Sequence, residues 1–102
     1  MAEFQWRDGS PGAWSYDSYN TAYCEGELWD GEIGVTIQIR PPSDKGDWEW
    51  IAWPPDGLMV GRVELQRVTD TDVCRNLAIR AAKLAARRIL KLVKGATTNA
   101  HA

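Results

Sequence analysis

The side chains able to do chemistry in this sequence are few and scattered. The two cysteines, Cys24 and Cys74, lie fifty residues apart, and the single histidine, His101, is the second-last residue. Two cysteines make no disulfide framework, and both are expected to be buried thiols, with the question of pairing left open. One terminal histidine supplies no Ser/His/Asp or Cys/His nucleophilic arrangement and no His/Cys zinc set. A carboxylate-only metal site or hydrolase would have to draw on Glu25, Glu27, Asp30 and Glu32, or on Asp44, Asp47 and Glu49. These acids are spaced as on strand edges and turns. No phosphate cradle is present either: Gly9-Ser10-Pro11-Gly12 has the wrong spacing and no lysine. The chain is therefore read as a non-enzyme with no metal and no cofactor.

Chemistry of recognition is better represented, because charge and aromatics are laid out unevenly. Residues 1–72 hold all 14 acids against five bases, a net charge of −9, while residues 73–102 hold seven bases and no acid, +7. All ten aromatic residues precede residue 54, six of them tryptophan. Such asymmetry points to charged partners. Three surfaces follow. Trp14, Glu25, Glu27, Asp30, Asp44, Asp47 and Trp53 form an acidic and aromatic set suited to a protein partner with a basic surface. Arg80, Lys83, Arg87, Lys91 and Lys94 fall within one helical arc of about 80° and suit phosphates or a second partner contact. Trp14, Trp29 and Trp53 sit beside turns, where exposed rings would stack on sugars in a carbohydrate-binding module, or on bases.

The elements that must position these residues read as a run of strands followed by one helix. A chain of 102 residues, 44% hydrophobic and 25% charged, makes one soluble domain. Its mean hydropathy of −0.40 and its lack of a long apolar run exclude a membrane span. The start, Met1 to Asp8, has neither a basic nor an apolar signal region, so a cytoplasmic location is expected. A first strand is expected over 1–8, with Phe4 and Trp6 on one face, then a turn at Asp8 to Gly12. One or two strands follow within 13–29. Asp30-Gly31 is a turn into the clearest strand, Ile33 to Arg40, whose Ile33, Val35, Ile37 and Ile39 face a core. Pro41-Pro42 ends it. Trp48 to Trp53 is the next strand, Pro54 to Gly57 a turn, and Leu58 to Val68 a last strand with Gly61 at a bulge.

The helix is expected over 72–94, capped by Thr69 to Asp72 and stopped at Gly95, with 95–102 an unstructured tail. Leu77, Ala81, Leu84 and Cys74 are expected on its core face, with Ala78, Ala85, Ile89 and Leu92 beside it. Ile79, Ala86, Leu90 and Val93 form a further apolar side, which leaves room for a homodimer through the helix. The fold class is thus α+β: an antiparallel sheet of four to five strands packed on one long C-terminal helix, a single domain over 1–94.

Trp48-Glu49-Trp50, a Gly-containing turn, Gly61-Arg62-Val63-Glu64 and then the Ala-rich C-terminal helix resemble the layout of a small type I-F inhibitor among the phage- or prophage-encoded anti-CRISPR proteins. The resemblance covers about half the chain. It implies a viral inhibitor that binds a CRISPR effector complex and blocks guide, target or nuclease access. That group shares no catalytic motif, so no site residue carries over. A sheet followed by a Lys- and Ala-rich helix is also similar to the end of a double-stranded RNA-binding domain, which keeps nucleic-acid binding as the alternative.

Overall fold

Alternation in β4 (Ile33–Arg40) organises the molecule: Val35, Ile37 and Ile39 are all fully buried. The computed structural model describes residues 3–7, 14–19, 22–42 and 46–100. Around β4 stand β1 (Glu3–Trp6), β2 (Ser15–Tyr16), β3 (Ala22–Asp30), β5 (Trp48–Trp53) and β8 (Val68–Asp72). They form one antiparallel sheet in the order β1-β3-β4-β5-β8, with β2 also on the β3 edge. Asp30 pairs with Ile33, so Gly31-Glu32 is a two-residue hairpin loop that sets the β3–β4 register. The expected turn at Asp8 to Gly12 lies outside the described residues.

The helix α1 (Arg75–Ala100) crosses the sheet mainly over β4 and β5. Its buried positions are Ala78, Ala82, Ala85, Ala86, Ile89, Leu90 and Val93, spaced as one helical face. Four alanines bring the helix backbone close to a sheet surface that already carries Ile37, Ile39, Leu28 and Trp50. Ala78, Ala85 and Ile89 lie inward as expected, but the rest of the expected faces is corrected, Leu92 being exposed. Leu77, Leu84 and Cys74 are exposed, whereas Ala86, Leu90 and Val93, read as a spare side for a homodimer, lie in the chain's own core. Once the helix must lie close to bulky strands, small residues fit beneath it and the larger leucines turn outward.

Further expectations are corrected. Leu58 to Val68 is not one strand: β6 (Met59–Val60) and β7 (Val63–Glu64) make a separate hairpin. Gly61, at φ 63°, sits in its turn and not at a bulge. Thr69 to Asp72 is no cap. These residues belong to β8, pairing with Trp48 to Ile51, because alternating β-branched threonines fit a pleated edge. The helix starts later, at Arg75, with Ala78 N donating to Cys74 O at 3.0 Å and no acid in its first turn. It also runs past Gly95 to Ala100, so the basic residues lie along its middle and not in its last turn. His101 lies outside the described residues. No helix among the described residues is long and apolar enough to cross a membrane.

Candidate functional site

Pairing along β3 decides where the predicted acids go. Cys24, Gly26 and Leu28 face the helix, so Tyr23, Glu25, Glu27 and Trp29 face the other way. β1 brings Arg7 beside them: its guanidinium forms ion pairs with Glu25 and, at 2.7 Å, with Glu27. Gln38 donates to Glu25 at 3.1 Å, and Arg40 donates to Gln38 at 3.3 Å and to Asp17 at 3.0 Å. Arg40 also lies 3.9 Å from Glu49 and 5.6 Å from the Tyr23 ring centre. A polar network of two arginines and four carboxylates, net acidic, thus crosses the sheet face turned away from the helix.

The acids therefore do not act as one group. Glu25 and Glu27 share one guanidinium, that of Arg7, while Asp30 lies on the helix side and pairs with Lys94 at 2.6 Å. Asp47 is exposed beside Arg40 and Pro42, in an open cavity of about 440 Å³. Asp44 lies outside the described residues. Trp14 stacks on Trp48, with ring centres 6.2 Å apart, and packs against the core. Trp53 is half-buried in a smaller open cavity of about 230 Å³ with Pro55, Leu65 and Arg67. The expected surface for a basic partner is thus divided over both sides of the sheet. Among the described residues no three His, Cys, Asp or Glu side chains converge as metal ligands.

The internal pairs have a pH consequence. The Arg7 guanidinium holds the Glu27 carboxyl below its ordinary range, helped by Trp29, and Lys94 does the same for Asp30. A carboxyl depressed in the folded state stabilises fully above its unfolded value and loses that contribution as pH falls through the folded one. Urea unfolding followed from pH 7 down to pH 3 is expected to show stability falling through the acid range, less steeply in Glu27→Gln and in Asp30→Asn. The Glu27 pair is partly exposed, so its share at neutral pH is under about 1 kcal/mol. The two free thiols differ: burial pushes the Cys24 thiol up, while Cys74 is exposed, against the expectation that both are buried.

The basic arc is also redistributed. Lys83 turns toward β1, its ammonium 4.2 Å from the Phe4 ring centre and 5.8 Å from that of Trp6. Lys94 is held by Asp30. Arg80, Arg87 and Lys91, joined by Arg88, are exposed and make no ion pair with any described residue. Beside them Leu77, Leu84 and Leu92 are 43%, 46% and 54% exposed. This outer seam of α1, about 22 Å long from Leu77 to Leu92, mixes large apolar side chains with unbalanced positive charge.

No family model, curated protein or solved structure matches the chain. The sequence gives the cations directly. It hides the leucines, which a helical wheel assigns to the core, and it hides Arg7, whose partners are 18 and 20 residues away and meet it only through the β1–β3 register.

Proposed function

We propose that this chain is a non-enzymatic protein-binding inhibitor whose contact surface is the outer seam of α1. One observation carries the reading: Arg80, Arg87, Arg88 and Lys91 are exposed without ion pairs among the described residues, and they alternate with exposed Leu77, Leu84 and Leu92. Large apolar side chains amid arginines are the material of protein interfaces. A phosphate backbone would use the cations but gain nothing from the leucines. The complementary partner surface is an apolar groove flanked by carboxylates, and not the basic surface that the acids by themselves suggest. The anti-CRISPR resemblance supplies the identity of such a partner, a CRISPR effector complex in a bacterial host, with blocked guide, target or nuclease access as the effect.

The test is to add the purified protein to a purified type I-F effector complex and measure binding and target capture. Stoichiometric binding that survives nuclease treatment is expected. It should weaken roughly a hundredfold in Leu77→Ser/Leu84→Ser/Leu92→Ser, as truncation of central contacts does. No binding to the effector overturns the anti-CRISPR reading. Association of the protein only with nucleic acid, abolished by Arg80→Glu/Arg87→Glu/Lys91→Glu but untouched by the leucine changes, overturns the protein-binding reading and promotes the nucleic-acid alternative.

A further inference from the structure

On the opposite side of the molecule, Trp29 lies across Gly34, its cross-strand neighbour. A Cβ built on Gly34 would sit 2.8 Å from Cζ3 of Trp29 and 2.9 Å from both Cδ2 and Cε2. Cζ3 and Cε2 are opposite corners of the six-membered ring. Near-equal distances to these two and to Cδ2 place the Cβ position of Gly34 beneath the ring centre, so the indole lies flat on the strand. Its second face points to solvent, and the residue is 43% exposed. The ring is also held in rotation, because its Nε1 donates to Glu27 Oε2 at 3.2 Å while Arg7 grips the other oxygen of Glu27 at 2.7 Å. Trp53 stands on the same sheet face, opposite Thr36, two strands away and offset by two residues along them, roughly 12 Å in all.

We infer that this indole face is a stacking platform for a neutral sugar ring. An indole face carries negative quadrupole charge and attracts the weakly positive C–H edges that a pyranose presents on one face. The hydroxyls around such a ring would meet Glu27 and Arg7 in the place of water. Each Glu27 oxygen accepts one hydrogen bond and retains a second lone pair, and Arg7 is half exposed. The electrostatics favour this occupant over two others. A phosphate polymer needs a positive surface, and here Arg7 and Arg40 are outnumbered by Glu25, Glu27 and Glu49. An apolar protein surface would strip water from the Arg7–Glu25–Glu27–Gln38–Arg40 network without replacing its hydrogen bonds, which costs more than the tryptophan contact returns. The inference is independent of the α1 reading, since the two surfaces lie on opposite sides of the sheet and either holds if the other fails.

The experiment is saturation-transfer NMR with cellohexaose, chitohexaose and maltohexaose at millimolar concentration, together with the indole N–H shift of Trp29 in ¹⁵N-labelled protein. At least one glycan is expected to show transfer and to move the Trp29 N–H signal while leaving that of buried Trp50 in place. Trp29→Ala is expected to lower the affinity more than tenfold, and Trp29→Phe, which keeps a smaller ring over Gly34, to retain part of it. The wild-type shift locates the site even if Trp29→Ala does not fold. Absence of transfer from all three glycans overturns the inference. So does binding that leaves the Trp29 signal unmoved or persists unchanged in Trp29→Ala, and so does a Trp29 shift produced by a single-stranded oligonucleotide but by no glycan.

Discussion

Ile37→Ala is expected to lower the unfolding free energy by about 3–4 kcal/mol, near the upper part of the range for a buried isoleucine. Ile37 is fully buried at the middle of β4, the central strand of the sheet. Its cross-strand neighbours are Gly26 and Ala52, and the helix above the sheet presents Ala78, Ala82, Ala85 and Ala86. Among its neighbours only the Phe4 ring, which lies over Gly26, could shift toward the space the isoleucine leaves. The glycine and alanines cannot close the cavity, so the cost exceeds the transfer term alone. Domains of this size hold 5–15 kcal/mol in total, so the melting temperature should fall by roughly 15 °C or more. Thermal and urea unfolding of Ile37→Ala beside Ile33→Ala checks this. Ile33 is half-buried at the hairpin end of the same strand, and its loss should cost less than half as much. Equal losses at both positions would mean that the core is not centred over Ile37.

How far the sequence reaches can be judged residue by residue. β4 is legible because its four isoleucine and valine positions recur at a period of two, which has no helical reading. The same holds for Trp48 and Trp50 on one face of β5 and for Phe4 and Trp6 against the core. β8 is not legible, because Thr-Asp-Thr-Asp before an Ala-rich run satisfies both the rules for a helix cap and those for an edge strand. Pairing with β5 decides between them, and that pairing is tertiary. The Asp70 and Asp72 that suggested a cap instead lie on the outermost strand, where charge opposes edge-to-edge association, and Asp72 also accepts from Trp50 Nε1 at 3.2 Å.

The candidate surfaces are half legible for a related reason. Formal charge is visible in a sequence, but neutralisation is not. Glu25 and Glu27 count as free acids until β1 delivers Arg7 to them, and Lys83 counts as a free cation until the helix places it over Phe4. The Trp29 platform is closer to the surface of the sequence than either. Alternation along β3 separates Trp29 from Leu28, and a two-residue loop at Gly31-Glu32 brings Gly34 opposite it. The pairing of the largest side chain with the absent one is then a matter of counting.

Ala82→Leu and Leu84→Ser together test which side of α1 meets the sheet, and their effects should run opposite to hydrophobicity. Ala82 is fully buried, Leu84 is 46% exposed, and only two positions separate them. A leucine at 82 adds three carbons between the helix backbone and the strands below it. Overpacking of that kind costs about 1–3 kcal/mol, and here the helix can make room only by lifting off Ile37 and Ile39 along its length. Leu84→Ser removes an apolar side chain from a surface already in water, so its effect stays within about 0.5 kcal/mol. Hydropathy alone would rank the two changes the other way, with the gain of a leucine favourable and the loss of one harmful. Urea unfolding of both variants distinguishes the cases. A stable Ala82→Leu beside a crippled Leu84→Ser would place the leucine seam against the sheet and remove the surface on which the inhibitor reading stands. The expected result leaves Leu84→Ser folded, so that any loss of partner binding in it reports on the contact and not on the fold.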